Sequence, residues 1–201
     1  MTTMKALYEY VGEAARDGHT RSGIVLGIRM AMLAVRRLGI DEPRRYSRSL
    51  ITIVETDRCL PDALELVTGC RLGNRTLKHQ DFGKMAATFV DLRTRRAIRI
   101  AARDAASLKA GELFPAADKE EALGRAYRTL PDEELFSCEW VQVAFRPEEL
   151  PGSRTARVPC AECGEGVSFG REVVSRGRTL CRACAGAGYC APFRAITEAA
   201  S

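Results

Sequence analysis

Five of the eight cysteines lie in the last quarter of the chain, and four of them form two closely spaced pairs. Cys160 and Cys163 make one Cys-x-x-Cys pair, and Cys181 and Cys184 make the other. A two-residue spacing lets both sulfurs of a pair turn towards one ion, and two pairs supply the four ligands of tetrahedral Zn²⁺. Because four protein ligands leave no position for water, the pattern predicts one structural Zn²⁺ per chain.

The residues around these pairs supply the elements of a small zinc finger. A hairpin that turns at residues 175–177 is predicted between the pairs, and a short helix is predicted after Cys184. This order is typical of a treble-clef or zinc-ribbon finger. Cys190 lies six residues beyond the last predicted ligand. We interpret it as a spectator, with exchange for one of the four ligands as the alternative.

A change in composition separates the finger from the rest of the chain. Pro147, Pro151 and Gly152 mark this change, and Pro and Gly residues at such a place are typical of a domain junction. The sequence therefore predicts a core domain over residues 1–152 and a zinc finger over residues 153–201.

The core sequence mixes helical and strand patterns. Helices are predicted at residues 3–16, 23–38, 61–69, 104–111 and 117–129, and strands at 49–55, 84–92, 96–103 and 136–145. Adjacent hairpin strands among helices predict an α+β fold, with helices packed on a mainly antiparallel sheet. Cys138, inside the last alternating strand, is predicted to pack in the core.

The helix at residues 23–38 is apolar on almost every face, so it is predicted to be the central buried helix. One small sheet covers less apolar surface than this helix presents, and we therefore expect a homodimer. The alternative is that the second domain or the helices at 104–129 cover this surface within one chain.

Composition and charge exclude several classes of protein. The 201 residues carry a net charge of only +5, and the finger sets seven arginines against four glutamates and four thiolates, so nucleic-acid binding is not favoured. No apolar run is long enough to cross a membrane, and acidic residues interrupt the first helix, so we expect a cytoplasmic protein without a membrane partner. The sequence has no phosphate-binding loop and no dinucleotide fingerprint.

Three core segments resemble, in order and spacing, the family of the formylmethanofuran dehydrogenase E subunit. They are His19 ahead of the buried helix, the phrase VETDRCLPDALELVTGC, and the phrase GNRTLKHQDFGKMAATF, and the resemblance covers roughly residues 12–102. It implies a dimeric α+β core in C1 or anaerobic metabolism, including methanogenesis, and a tungsten or molybdenum oxidoreductase as partner. It does not imply dehydrogenase activity of the chain itself. The finger is similar to that of DnaK-suppressor and TraR transcription factors.

The chain departs from the family pattern at one position. The family reads His-x-Cys-Pro-Gly, whereas this sequence reads His19-Thr20-Arg21-Ser22-Gly23. A His and Cys pair together with Cys59 would suit a soft metal, but Arg21 removes one ligand and adds a permanent positive charge. The sequence therefore disfavours a second metal in the core. It favours a thiolate at Cys59.

The sequence supports three hypotheses for the function of the chain. The first is a zinc-containing accessory or binding protein with a ligand or metal pocket in its core; the candidate residues are His19, Cys59, Cys70, Glu55 and Asp62. The second is a thiol enzyme in which Cys59 is the nucleophile, assisted by His19 and Arg21. The third is a regulator that contacts nucleic acid or RNA polymerase through the finger. Each core candidate also has a plain structural interpretation, as a packed thiol, a helix cap or a surface carboxylate.

Overall fold

A computed structural model describes residues 4–15, 20–46 and 48–190. The chain divides into two compact units, Met1–Ala144 and Phe145–Ser201. The division lies N-terminal to the predicted boundary at residue 152, because a short 3₁₀ turn at Pro147–Glu149 belongs to the second unit. Within the described ranges, no helix has both the length and the hydropathy of a membrane span.

The first unit combines six helices and five strands among its described residues. The helices are α1 (Met4–Ala14), α2 (Ser22–Leu38), α3 (Leu60–Thr68), α4 (Asp104–Leu113), α5 (Lys119–Thr129) and α6 (Asp132–Leu135). The strands are β1 (Leu50–Val54), β2 (Leu77–His79), β3 (Ala86–Asp91), β4 (Arg96–Ala102) and β5 (Phe136–Val141). Helix ends follow local sequence: α3 has Pro61 in its first turn and ends at Gly69, whose φ of +71° favours glycine.

The strands form one sheet in the order β2-β1-β3-β4-β5. Only the β1–β2 pair is parallel, and the other three pairs are antiparallel. The predicted hairpin is the β3–β4 pair, in which Phe89 lies opposite Ile98. The predicted α+β class with a mainly antiparallel sheet is confirmed. Strand β2 was not predicted, because its three residues are too few to show an alternating pattern.

Helix α2 is the central helix of the first unit. Twelve of its residues are buried, and it packs against α1, α3, α5 and β4. Gly27 brings α2 close to α3, since a Cβ at this position would lie 2.6 Å from the Cβ of Ala63. The other elements of the same chain therefore cover the apolar faces of α2. This is the alternative given above to coverage by a second copy of the chain.

Strand β5 corrects the prediction for Cys138. The side chain of Cys138 is exposed, as are those of Glu139 and Trp140 on the same strand. Burial along β5 is confined to its first residue, Phe136, and residues 137–140 are exposed, so the alternating pattern of its sequence does not translate into a buried face.

The second unit contains two small two-stranded sheets. Strands β6 (Val158–Pro159) and β7 (Gly166–Val167) pair around the first cysteine pair, and β8 (Val173–Ser175) pairs with β9 (Arg178–Leu180). The predicted turn at residues 175–177 is confirmed, since Arg176 and Gly177 connect β8 and β9 with positive φ angles. A helical turn at Ala183–Ala187 follows and ends at Gly188, residues 188–190 are not helical, and the remainder of the predicted C-terminal helix lies outside the described residues.

Candidate functional site

The four predicted zinc ligands converge in the second unit. The sulfurs of Cys160, Cys163, Cys181 and Cys184 all lie within 4.8 Å of one another, and the sulfurs of Cys163 and Cys181 are 4.0 Å apart. Zn–S bonds of about 2.3 Å in a tetrahedron require sulfurs about 3.8 Å apart, so the donor set and its spacing fit Zn²⁺. Within the described residues, no other group of three or more potential ligands lies close enough to share an ion.

Backbone N–H groups prepare the sulfurs for a metal. The amide of Glu162 donates to the sulfur of Cys160 at 3.5 Å, and the amide of Cys184 donates to the sulfur of Cys181 at 3.3 Å. Hydrogen bonds from the backbone of Cys163, followed by those of Cys181 and Glu162, lower the pKa of Cys160 to about 6, whereas the neighbouring thiol of Cys181 raises the pKa of Cys184 to about 12. Donors aimed at a sulfur favour the thiolate, which is the form that binds zinc.

The first cysteine pair is fixed to the neighbouring hairpin. The amide of Ala161 donates to the carbonyl of Thr179 on β9 at 2.8 Å, and Gly164 closes the turn with φ +76° and an N–H bond to the carbonyl of Cys160. Arg178 also binds the carboxylate of Glu162 at 2.6 Å. These contacts hold both pairs in register. Cys190 is exposed and lies outside the cluster.

A second site lies in the first unit, where Cys59 and Arg21 line the same cavity of about 400 Å³. Cys59 precedes α3 and Arg21 precedes α2. Gly23 is packed against the thiol, since a Cβ there would lie 3.3 Å from the sulfur of Cys59. The thiol-enzyme hypothesis grouped Arg21 with Cys59, and the structure places both at one cavity, at the starts of two helices, where pockets form.

The backbone of Cys59 is unusual for a residue with a side chain. Its φ is +28°, and no side chain caps the first turn of α3 behind it. A non-glycine residue with positive φ is costly, and such residues cluster at functional sites. This conformation places a half-buried thiol at the cavity, where small molecules can reach it.

Two predicted pocket residues lie elsewhere. Cys70 follows the opposite end of α3 from Cys59, where its thiol donates to the carbonyl of Leu50 at 3.3 Å and burial raises its pKa. Asp62 lies in a separate polar groove that also contains Arg44 and Arg71. A helix of nine residues is about 13 Å long, so the two cysteines that flank α3 cannot share a small pocket.

Glu55 supports the wall of the cavity without lining it. Its buried carboxylate accepts two hydrogen bonds from Arg99, both of 2.7 Å. The carbonyl of Glu55 accepts from the amides of Phe82 and Lys84 at 3.1 Å each. Gly83, between these two residues, lines the cavity, so Glu55 positions that segment. His19, the remaining candidate, lies outside the described residues.

The structure adds polar lining residues that the sequence analysis missed. They include Arg58, Arg103, Asp104 and Glu120. The oxygens of Glu120 accept hydrogen bonds from the amide and the hydroxyl of Ser22, so a carboxylate already sits at the first turn of α2. The missed residues lie at or near the starts of helices, and the predicted helix boundaries could have indicated them.

The sequence matches two protein families. A family model described as FmdE, Molybdenum formylmethanofuran dehydrogenase operon, matches residues 17–137. A second, described as Prokaryotic dksA/traR C4-type zinc finger, matches residues 154–187. The second match and the sulfur cluster together confirm the predicted structural zinc. The core match extends further towards the C-terminus than the resemblance seen in the sequence.

Two individual proteins are also similar to the chain. A protein of Archaeoglobus fulgidus described as a probable S-adenosyl-L-methionine-binding protein is 32% identical over 204 residues, covering 90% of this chain and 53% of that protein. The chain thus spans about half the length of this relative. The crystal structure of an FmdE-like protein of the tungsten formylmethanofuran dehydrogenase type, from Syntrophus aciditrophicus, shares the fold. Its TM-score is 0.58 at 24% identity, and the match covers 90% of this chain and 92% of that one.

The family match covers more than half of the chain and includes both Arg21 and Cys59. The resemblance inferred from the core segments is therefore confirmed, and the chain belongs to the FmdE family and carries a C4-type zinc finger at its C-terminal end.

Proposed function

We propose that this chain is a cytoplasmic, zinc-containing accessory or binding protein whose core domain binds a small organic ligand in the cavity at Cys59. The zinc holds the finger together, since its four cysteine ligands leave no open position for a substrate. The observation that carries the proposal is the cavity itself, with a volume of about 400 Å³. Small-molecule sites are concave and usually fall in the range of about 300–1,000 Å³.

The lining of the cavity suits a ligand that has apolar and charged parts. Leu26, Met85 and Tyr127 supply apolar surface, while arginines and two carboxylates supply groups of both charges. Eight of the fifteen lining residues are polar or charged, so the cavity suits a charged small molecule better than a purely apolar one.

S-adenosylmethionine is the ligand that we propose for this cavity. It carries one carboxylate and two positive groups, an amine and a sulfonium. We propose that the carboxylate lies against Arg21 or Arg58 and that the positive groups lie against Asp104 and Glu120. The Archaeoglobus relative is described as a probable binder of this molecule. The chain spans about half of that relative, so the proposal needs its own test.

A thiol enzyme is the second candidate, favoured by the backbone strain and cavity position of Cys59. Among the described residues that line the cavity, none is a histidine that could act as a base. Binding is therefore the function that the described geometry supports better.

Calorimetric titration of S-adenosylmethionine tests the proposed function. Ser107 lies on α4 and lines the cavity, so Ser107→Trp should fill it and weaken binding at least about tenfold. Leu108→Trp is the matched control, because Leu108 is 72% exposed and does not line the cavity. No binding to the unmodified chain, or equal binding by both variants, would overturn the proposal.

A further inference from the structure

We infer that the cavity at Cys59 selects an anionic ligand group, a carboxylate or a phosphate, through the guanidinium groups of Arg21 and Arg58. This inference rests on the proposed binding function and specifies the chemical class of the ligand. It makes Arg21 and Arg58 the residues that determine specificity.

The two arginines differ from most other arginines of the first unit in their partners. Arg29 binds Asp132, and Arg99 binds Glu55. Arg21 and Arg58 are both exposed, and within the described part of the chain their side chains have neither a carboxylate partner nor a hydrogen bond, so their guanidinium groups are open to a ligand in the cavity that they line. A guanidinium offers five N–H donors in a planar fork that matches a carboxylate or phosphate.

The other charged residues of the lining leave room for this anion. Arg103 donates to the carbonyl of Phe136 at 2.9 Å, and Glu120 is held by Ser22, so both have partners within the protein. Asp104 is the other lining carboxylate, in the first turn of α4. Three arginines against two carboxylates give the lining a positive balance, which raises the local concentration of small anions.

Backbone dipoles act in the same direction. Helices α2 and α4 begin at residues that line the cavity, and α3 begins directly after Cys59, which also lines it. The first turn of a helix carries partial positive charge. The first turn of each helix is already balanced in part by a carboxylate of the protein, Glu120 at α2, Asp62 in α3 and Asp104 in α4. The arginines therefore supply most of the positive charge that a ligand meets.

Alkylation of the Cys59 thiol measures the preference of the cavity for anions, and the measurement does not require the natural ligand. Iodoacetate is an anion and iodoacetamide is neutral, and both alkylate a cysteine by the same step. The thiolate sulfur forms a bond to the CH₂ carbon, and the C–I bond breaks to release iodide. The ratio of the two rates at one cysteine therefore cancels the intrinsic reactivity of that thiol and measures local enrichment of the anion.

Residue-resolved mass spectrometry of the full zinc-loaded chain gives this ratio at Cys59, and the neutral thiol 2-mercaptoethanol gives the reference ratio in free solution. Cys138 is not used as the reference because Arg36, Arg37 and Arg103 act on its thiol. We expect the iodoacetate-to-iodoacetamide ratio at Cys59 to exceed the reference by about tenfold, and salt to reduce the excess. Arg21→Met and Arg58→Met should each lower the excess several-fold. Arg48→Met, at an exposed position outside the cavity, should leave it unchanged.

Each result has a definite meaning. A ratio at Cys59 equal to that of 2-mercaptoethanol, or a ratio that both cavity variants leave unchanged, would overturn the anion inference, and titration with S-adenosylmethionine would still decide the proposed function. Failure of both reagents to label Cys59 would contradict an open cavity and would overturn both proposals.

Discussion

Single residues decide the two sites of this protein. Four cysteine sulfurs form the metal centre of the finger. In the core cavity, Arg21 stands where the family resemblance implies a cysteine, so this position offers a guanidinium and no metal ligand. Cys59, with a strained backbone next to Gly23, is the residue at which the core chemistry can be measured.

The zinc ligands make a direct prediction at this scale. Cys181→Ser should reduce the zinc content from one ion per chain to near zero and unfold the finger, because an apparent binding free energy of about 10–16 kcal/mol is coupled to folding. Elemental analysis and hydrogen exchange measure both effects. Cys190→Ser, outside the cluster, should retain its zinc. A full complement of zinc in Cys181→Ser would show that the four sulfurs are not the ligand set.

Asp132 makes a second prediction. Burial opposes its charged form, but hydrogen bonds from Arg29 and then Arg36 outweigh this effect and lower the pKa of Asp132. A lowered pKa stabilises the fold at neutral pH, and that stability is lost as the pH falls through the folded-state pKa. Asp132→Asn should therefore cost about 2 kcal/mol at pH 7, with a smaller difference from the parent chain in acid.

Denaturant unfolding at several pH values measures this cost. Asp41→Asn serves as the control, since Asp41 is exposed and has no ion pair among the described residues. Equal losses of stability in the two variants, or a cost for Asp132→Asn that does not change with pH, would contradict the assigned role of Asp132.

At the scale of elements, the contact between α2 and α3 sets the position of Cys59. Gly27→Ala would place a Cβ 2.6 Å from that of Ala63, so we expect a loss of about 1–3 kcal/mol. Gly111→Ala, where a Cβ meets no atom within 4 Å inside helix α4, should instead stabilise by up to about 1 kcal/mol. Thermal unfolding compares them, and a stable Gly27→Ala variant would show that the two helices are not tightly packed.

The elements also show what the sequence could predict. Long periodic segments such as α2 and the β3–β4 hairpin were predictable, because burial imposes periods of 3.6 and 2 on their side chains. Strand β2 has only three residues, and its parallel partner β1 is distant in the sequence. The burial of Cys138 was predicted wrongly because an alternating pattern does not tell whether another element covers the strand.

The two candidate sites also differ in how much of each could be predicted from the sequence. The spacing of the four finger cysteines was sufficient to identify the zinc ligands, because each pair is local. The cavity depends on residues far apart in the chain, such as Arg58 and Glu120, which only the packing of helix ends brings together. Cys70 and Asp62 were grouped with Cys59 by closeness in sequence, although α3 directs them to different places.

At the scale of the whole molecule, the expected homodimer stays a prediction that rests on the family resemblance. The apolar faces of α2 no longer support it, since α1, α3 and α5 cover them within one chain. Light scattering of the zinc-loaded chain at micromolar concentrations should give twice the chain mass of 22.1 kDa. A monomer mass across that range would contradict the prediction.

The central claim for the whole molecule is that the core cavity at Cys59 binds S-adenosylmethionine while the finger holds a structural zinc. A crystal structure of the full chain grown with this ligand tests the claim most directly. The account predicts ligand density in the cavity, with its carboxylate within hydrogen-bond distance of Arg21 or Arg58, and one zinc among the four cysteines. An empty cavity at saturating ligand, or ligand bound elsewhere on the chain, would contradict it.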